Sequence, residues 1–398
     1  MLNVWPNVSL KALLKQVIDY RGKAPPKSDD GVQLITARNV RRGSLDLSYR
    51  EYILDCEFEA WMNRGLPEAG DILFTTEAPL GHACMYPADG RYALGQRIVT
   101  LRANPEKCDP GYLLQFLLSD GGQEAILLRA TGSTAMGIKS SELQMISVPC
   151  PPLSDQRKIA EVLRTWDEAI EKLEALRAAQ SSRATGAAQI LLAPSRAIGK
   201  HIPRTNWVTT LFAEAFEERQ DRNDDLGPDD VVTVGKYAIR KQSEHFTRSV
   251  ASSDLSNYRV ISPGDFVYDP MSAYYGAIGR YQGTQDGIVS PAYRVIRLRT
   301  DIAPEFMVAL LRSYPIRFQL DRKSSQGNKE GKRRIIQRDE FGSIEFNLPA
   351  LDIQRHIAAV LADFERDIAL VTGQLDALRR QKRGLMQKLL TGQWRVSA

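Results

Sequence analysis

Apolar positions follow two rhythms along this chain, and the slower one occurs twice. From Ile159 through Leu163, Trp166, Ile170 and Leu173 they step by four and three, then weaken through Arg177 and Gln180 to Ala184, Ala187 and Leu191. A cleaner run goes Ile357, Leu361, Phe364, Ile368, Val371, Leu375, Leu378, Leu385 and Leu389, broken only by Lys382. Steps of four and three mark a heptad a/d seam, narrower than the stripe of a helix lying on a globular core. Each run predicts one long helix. Ser154 and Asp352 suit N-caps, just after prolines that a helix interior excludes. Pro194 and Gly392 close the two runs. About 39 residues at roughly 1.5 Å each predict a rod near 58 Å long.

The two rods are copies of one another. Gln156 and Gln354 stand 198 residues apart, and the offset holds without a gap from Pro151 and Pro349 to Leu192 and Leu390. A seam of this length needs a partner, and the other copy is the best one available. The expectation is an antiparallel pair related by a pseudo-two-fold, packed as in an isologous dimer.

The faster rhythm, short apolar runs between Gly and Pro, fills the rest. Residues 1–151 open with an amphipathic segment around 10–18 and a Pro/Lys/Asp-rich turn at 24–31. Strands are predicted at 33–36, 71–76 and 97–101, and a helix at 110–118 with Tyr112, Leu113, Phe116 and Leu117 on one face. A loop rich in hydroxyls and glycine spans 130–139. Residues 199–348 repeat this order with looser spacing. Gly70-Asp71 is echoed by Gly264-Asp265 at an offset of 194, Pro110 by Pro304 at 194, and Leu101-Arg102 by Leu298-Arg299 at 197. The predicted fold class is α+β: two related mixed α/β domains (1–151 and 199–348), each followed by a long helix (152–198 and 349–398).

Composition narrows the field modestly. At 398 residues the chain is too long for a single core. A net charge of +5 permits polyanion binding without requiring it. Cys56, Cys84, Cys108 and Cys150 lack CxxC spacing and read as reduced thiols of an intracellular protein. No apolar run approaches 18 residues and no signal peptide opens the chain, so a cytoplasmic location without membrane contact is expected. The four histidines share no metal-ligand spacing, and no GxxxxGK[ST] loop is present. Asp269-Pro270-Met271 is only a partial match to the Asp/Asn-Pro-Pro-aromatic motif of amino-methyltransferases. Catalysis finds no foothold.

Three features together, the repeated Pro-Leu-x-x-Gln-x-x-Ile-Ala-x-Val-Leu pattern, the ending Lys382-x-x-Leu385-Met386-x-x-Leu389-Leu390-Thr391-Gly392 and the paired globular units, resemble the specificity subunits of type I restriction–modification systems. The resemblance covers the whole chain. It implies a non-catalytic DNA reader in which each globular domain is a target-recognition domain for one half of a bipartite, asymmetric site. The helices would set the spacer and dock two methyltransferase subunits, with restriction/translocase subunits joining them. It implies no cofactor in this chain; S-adenosylmethionine, ATP and Mg would belong to the partners, which would methylate adenine N6. Elementary geometry agrees, since inverted readers face one side of B-DNA when their half-sites lie about one turn, roughly 34 Å or 10 bp, apart.

Candidate DNA contacts follow from residue type. The most basic and polar stretch holds Arg322, Lys323, Gln326, Asn328, Lys329, Lys332, Arg333 and Arg334. Its cations suit phosphates, and Gln326 or Asn328 suits an adenine edge. Ser133, Thr134 and Lys139 form the counterpart in the first domain. Arg38, Arg41 and Arg42 suit backbone tracking, with a solvated strand edge as the competing reading. Tyr274 and Tyr275, in a loop after a strand, suit stacking or core packing alike. A different function class stays open: a non-reading adaptor built on the duplicated helical hairpin. Such an adaptor has no use for two related globular domains with different basic loops.

Overall fold

The computed structural model describes residues 5–22, 24–132, 136–192, 207–242, 254–326 and 334–396. The chain forms two compact units: Met1–Ala175 together with Thr372–Ala398, and Leu176–Val371. Both long helices are present, Leu153–Leu192 and Leu351–Thr391. Each starts two residues earlier than N-caps at Ser154 and Asp352 would place it. Ser154 and Asp352 therefore lie in the first turn, and the carbonyls of Pro152 and Ala350 accept the amides of Gln156 and Gln354, both at 3.0 Å. Polar and acidic side chains suit that turn through the helix dipole as well as they suit a cap, which is why the residue pattern does not fix the start to better than two residues. Gly392, at φ 78°, closes the second helix in the left-handed region that glycine tolerates.

In the first unit a four-stranded antiparallel sheet runs in the order Leu14–Asp19, Ile98–Ala103, Ile72–Thr75, Ala83–Met85. The opening amphipathic segment splits into one helical turn, Leu10–Leu13, and the Leu14–Asp19 strand. The sheet's period of two separates two apolar clusters. Ile72, Phe74, Val99 and Leu101 face one that includes the Pro110–Leu118 helix. Leu73 and Ile98 face the other, with Leu34 and Ile35 of the Val32–Ile35 strand. The first cluster also takes in Ile159, Leu163, Met386 and Leu389, so the start of one long helix and the end of the other are part of this unit's core.

The second unit repeats the sheet order with Phe216–Arg219, Arg294–Leu298, Phe266–Tyr268 and Ile278–Arg280. Ile72 pairs with Leu101, and Phe266 with Ile296. Leu101-Arg102 therefore matches Ile296-Arg297, at an offset of 195 and not the 197 that the residue pattern suggested. A slip of two residues keeps every side chain on its own face, so alternation alone cannot detect it. Leu192, Ile357 and Ala358 join this unit's core with Phe212, Phe266 and Phe306.

The seams are buried unevenly. Ile159, Leu163, Leu375 and Leu389 are buried in the first unit, while Trp166, Ile170, Leu173 and Leu378 are half-buried. In the second, Ile357 and Val371 are buried and Leu361, Phe364 and Ile368 half-buried. Lys382, the apparent break in the heptad, is itself buried: its Nζ meets Asp167 Oδ1 at 2.5 Å, and Asp167 Oδ2 accepts from Gln115 Nε2 at 2.7 Å. With the Arg379–Glu174 ion pair, this contact runs the two helix segments of the first unit antiparallel.

Candidate nucleic-acid interface

The repeated glutamine sets where each sheet stands on its helix. Gln156 Oε1 accepts the amide of Asp109 at 2.9 Å, and its Nε2 donates to Pro151 O at 3.0 Å and Lys107 O at 3.1 Å. Gln354 Oε1 accepts the amide of Ala303 at 2.7 Å, and its Nε2 donates to Pro349 O at 2.8 Å. Asp109 and Ala303 are the N-caps of the Pro110–Leu118 and Pro304–Leu311 helices. In both units, then, one buried amide ties the start of a long helix to the helix that backs the sheet.

The repeated Gly-Asp is framework too. Asp71 Oδ2 accepts the Glu68 amide at 2.8 Å and holds Arg102, with NH2 at 2.8 Å. Asp265 Oδ2 accepts the Ser262 amide at 3.0 Å and Arg219 NH1 at 2.9 Å, while Arg297 Nε reaches Oδ1 at 3.2 Å. Each carboxylate closes the turn into its strand and pins an arginine of a neighbouring strand.

From these frames two loops emerge side by side in each unit. In the second unit the loop after the Phe266–Tyr268 strand contains the 3-10 turn Ala273–Tyr275 and Gly276. Gly276 sits at φ 103°, and a Cβ there would lie 2.7 Å from Tyr237 Cζ, so no other residue fits. Tyr275 is exposed, with Lys236 Nζ 4.8 Å above its ring. Tyr274 is half-buried, and the Arg334 guanidinium stacks 4.8 Å from its ring. Arg334 NH1 is fixed by Asp321 Oδ1 at 2.6 Å. Ile336 N donates to Pro270 O at 3.0 Å, binding the second loop to the first. Of the basic stretch, Ser325–Gln326 pairs antiparallel with Arg334–Ile335. Arg322 is exposed over Phe318, 5.6 Å from its ring, whereas Lys323 turns to Ser343 Oγ at 2.7 Å. Asn328, Lys329, Lys332 and Arg333 lie outside the described residues, as does the side chain of Gln326.

The first unit makes the same junction. Ile138 N donates to Thr76 O at 2.9 Å, and Gly137 bridges both Thr131 and Glu77. Lys139 is exposed; Ser133 and Thr134 lie outside the described residues. Arg38 is exposed, with NH1 on Tyr49 Oη at 2.6 Å. Together with Lys27, Thr36, Ala78 and Arg97 it lines a groove of about 220 Å³. Ala78 (φ 44°) and Arg97 (φ 43°) are both held in the left-handed region, a strain that structures retain where backbone must be aimed. Arg41 and Arg42 are tied elsewhere, to Asp46 at 3.0 Å and to Leu118 O at 2.9 Å. Ser48, then Arg41, hold the Asp46 carboxyl down to about 2, which keeps it charged against Arg41 at neutral pH. Buried Asn39 organises this turn with four hydrogen bonds.

The structure thus unites Tyr274 with Arg334 and places Arg38 on a groove, while giving Lys323, Arg41 and Arg42 internal partners. Sequence reasoning missed Lys27, Arg97 and Lys236, which no motif marks, since only chain reversal brings each to the candidate surface, where Lys27 pairs with Glu51 at 2.5 Å and Arg97 with Glu77 at 3.0 Å. The combination of exposed cations and aromatic faces on loops fixed to a rigid sheet suits phosphates and bases. Among the described residues no group of three His, Cys, Asp or Glu side chains is placed to hold a metal ion, and no helix is long and apolar enough to cross a membrane.

Residues 43–179 match the family model of the type I restriction modification DNA specificity domain. A putative type I restriction enzyme specificity subunit of Methanocaldococcus jannaschii is 26% identical over 172 residues, 42% of this chain. The chain spans about two fifths (40%) of that relative's length. The crystal structure of a type I restriction–modification S subunit from M. genitalium superposes with a TM-score of 0.60 at 15% identity, covering 98% of this chain and 96% of that one. A chain from a structure of complex assembly and conformational transition in the type I R-M system gives 0.56 at 16% identity, covering 98% and 99%. At these identities the structural likeness is one of fold.

Proposed function

We propose, from a specificity-domain match over residues 43–179 and a fold shared with type I restriction–modification specificity subunits, that this chain is a subunit of that kind and reads DNA without performing chemistry. Each unit reads one half of a bipartite, asymmetric site through the paired loops, and the long helices set the spacer and dock two methyltransferase subunits. Restriction/translocase subunits complete the assembly in the cytoplasm. S-adenosylmethionine, ATP and Mg serve those partners, and the methyl group goes to adenine N6.

One observation carries this reading: the two units share their framework and differ at the loops. Sheet order, the buried glutamine and the Asp–Arg pin recur. The second unit offers Tyr274, Tyr275 and Arg334, where the first offers Glu77, Thr131 and Lys139. Equal frames with unequal faces suit two half-sites of different sequence. The test is exchange of residues 199–348 for another recognition domain, followed by methylome sequencing of cells carrying the chimaera with its methyltransferase. One half-site should change and the other remain. A change in both, or binding of duplex DNA with no sequence preference at all, would contradict it, and the latter would favour an adaptor.

A further inference from the structure

Glu218 lies on the edge strand Phe216–Arg219 of the second unit, and its side chain is 9% exposed. Three guanidiniums surround it: Arg338 Nε at 2.9 Å from Oε2, and Arg294 NH1 and Arg259 NH1 at 3.2 and 3.6 Å from Oε1. A buried carboxylate is ordinarily matched by one partner; here a single negative charge faces three positive ones. Burial first, then the neighbouring Arg294, pulls the Arg259 guanidinium below its ordinary value, a sign of crowded positive charge. The nearest contact of Glu218 with each guanidinium is through a single nitrogen, while each guanidinium has five N–H donors. The side chains of Arg294 and Arg338 are 38% and 66% exposed, so solvent reaches what Glu218 does not occupy.

The cluster stands where the loops begin. Arg294 pairs across the sheet with Tyr268, the last residue of the strand that feeds the Tyr274 loop. Tyr268 stacks on Phe341 of the Arg338–Gly342 turn at 3.9 Å, which fixes the segment carrying Arg338. Arg338 follows Arg334 by four residues, through the Ile336 contact to Pro270. At the matching positions of the first unit stand Val17, Val99 and Ser140, by strand register and by the first residue of the equivalent five-residue helix. Packing does not demand these charges, because the same frame closes without them.

We propose that Arg294 and Arg338, braced with Arg259 on Glu218, form a phosphodiester clamp that gives the second unit a DNA-backbone contact which the matching positions of the first unit lack. Guanidiniums held in a fixed array favour the tetrahedral oxyanion of a phosphate over a single carboxylate. Contacts of this kind add affinity and register, not sequence choice. The inference rests on the DNA-reading function proposed above.

The test measures binding of the full chain to a duplex selected from a random library, across 50 to 200 mM salt. Each phosphate contact contributes about 0.9 to the slope of log affinity against log salt. Arg338→Ala, and separately Arg294→Ala, should flatten the slope by about that much, so the affinity lost over this range shrinks by roughly three- to four-fold per contact. Glu218→Gln should act in the opposite direction, tightening salt-dependent binding, even though it loosens the fold. Arg338 is exposed enough that its variant tests the idea if Glu218→Gln does not fold. Wild-type slopes in both arginine variants, with a duplex motif still selected, would overturn the clamp and leave DNA reading intact. A wild-type chain that binds no duplex would overturn both.

Discussion

Gln156→Ala and Gln354→Ala should each loosen one unit, and by different amounts. Both side chains are 1% exposed. Removing Gln156 deletes bonds of 2.9, 3.0 and 3.1 Å and leaves the Asp109 amide and two carbonyls without that partner at a buried position. At about 1 kcal/mol net per hydrogen bond the loss is about 3 kcal/mol, with more if the orphaned groups stay buried. Gln354 makes two bonds, at 2.7 and 2.8 Å, and a third, to Asp301 O, stretched to 3.5 Å, so its loss should be nearer 2 kcal/mol. For units of this size that is a fall in Tm of about 4–12 °C in the affected transition, followed by calorimetry of the full chain.

The isostere sharpens the test. Gln156→Glu keeps the acceptor for the Asp109 amide but turns a carboxylate oxygen toward two carbonyls, which can only accept. It should be at least as damaging as alanine at neutral pH. Burial among acceptors raises the pKa of the introduced acid, so stability is recovered on acidification below that raised value and lost as pH rises through it. A Gln156→Glu protein as stable as wild type at pH 7 would refute the reasoning, as would alanine variants within 1 °C of wild type.

Other perturbations separate charge from packing. Asp167→Ala strands the buried Lys382 ammonium, while Lys382→Met restores an apolar heptad position and leaves a half-exposed Asp167 that water can solvate; urea melts should show a loss of about 1–2 kcal/mol for the first and near none for the second. Ile357→Ala or Leu375→Ala, at fully buried seam positions, should cost about 2–5 kcal/mol. Phe364→Ala, half-buried, should cost about half that and impair assembly without altering the methylated motif. Burial pushes the Cys84 and Cys108 thiols up to about 12, so in the native protein a thiol reagent at pH 8 should label exposed Cys56 far faster than either, with denaturation abolishing the difference.

How much of this was legible in the sequence depended on the physical source of each feature. The long helices announced themselves because a heptad seam and a gapless repeat are periodic over dozens of residues. The Pro110–Leu118 helix was equally plain, with proline at its first position behind Asp109. The 10–18 segment was not, since one helical turn followed by a six-residue strand has no period of its own. Lys382 looked like a defect because its partner, Asp167, is 215 residues away in the chain. Within the candidate surface, residue type nominated Tyr274 and Arg334 individually; only the folded loops show that one stacks on the other.

The deepest distinction between the units falls on residues that alternation cannot rank. Val17 and Glu218 share a register position, as do Val99 and Arg294, and in a strand either pair reads as an ordinary step of the pattern. What separates them is the cost of burial. Valine at such a site needs only apolar neighbours, whereas Glu218 requires cations in the same place, and three are supplied by two strands and a short helix. Such a group is not gained one residue at a time without loss, since each arginine without Glu218, or Glu218 without arginines, is a buried or crowded charge lacking its counterpart. A stable frame pinned at Gln354 and Asp265 can absorb that cost, and the shared frame is what lets the two faces differ.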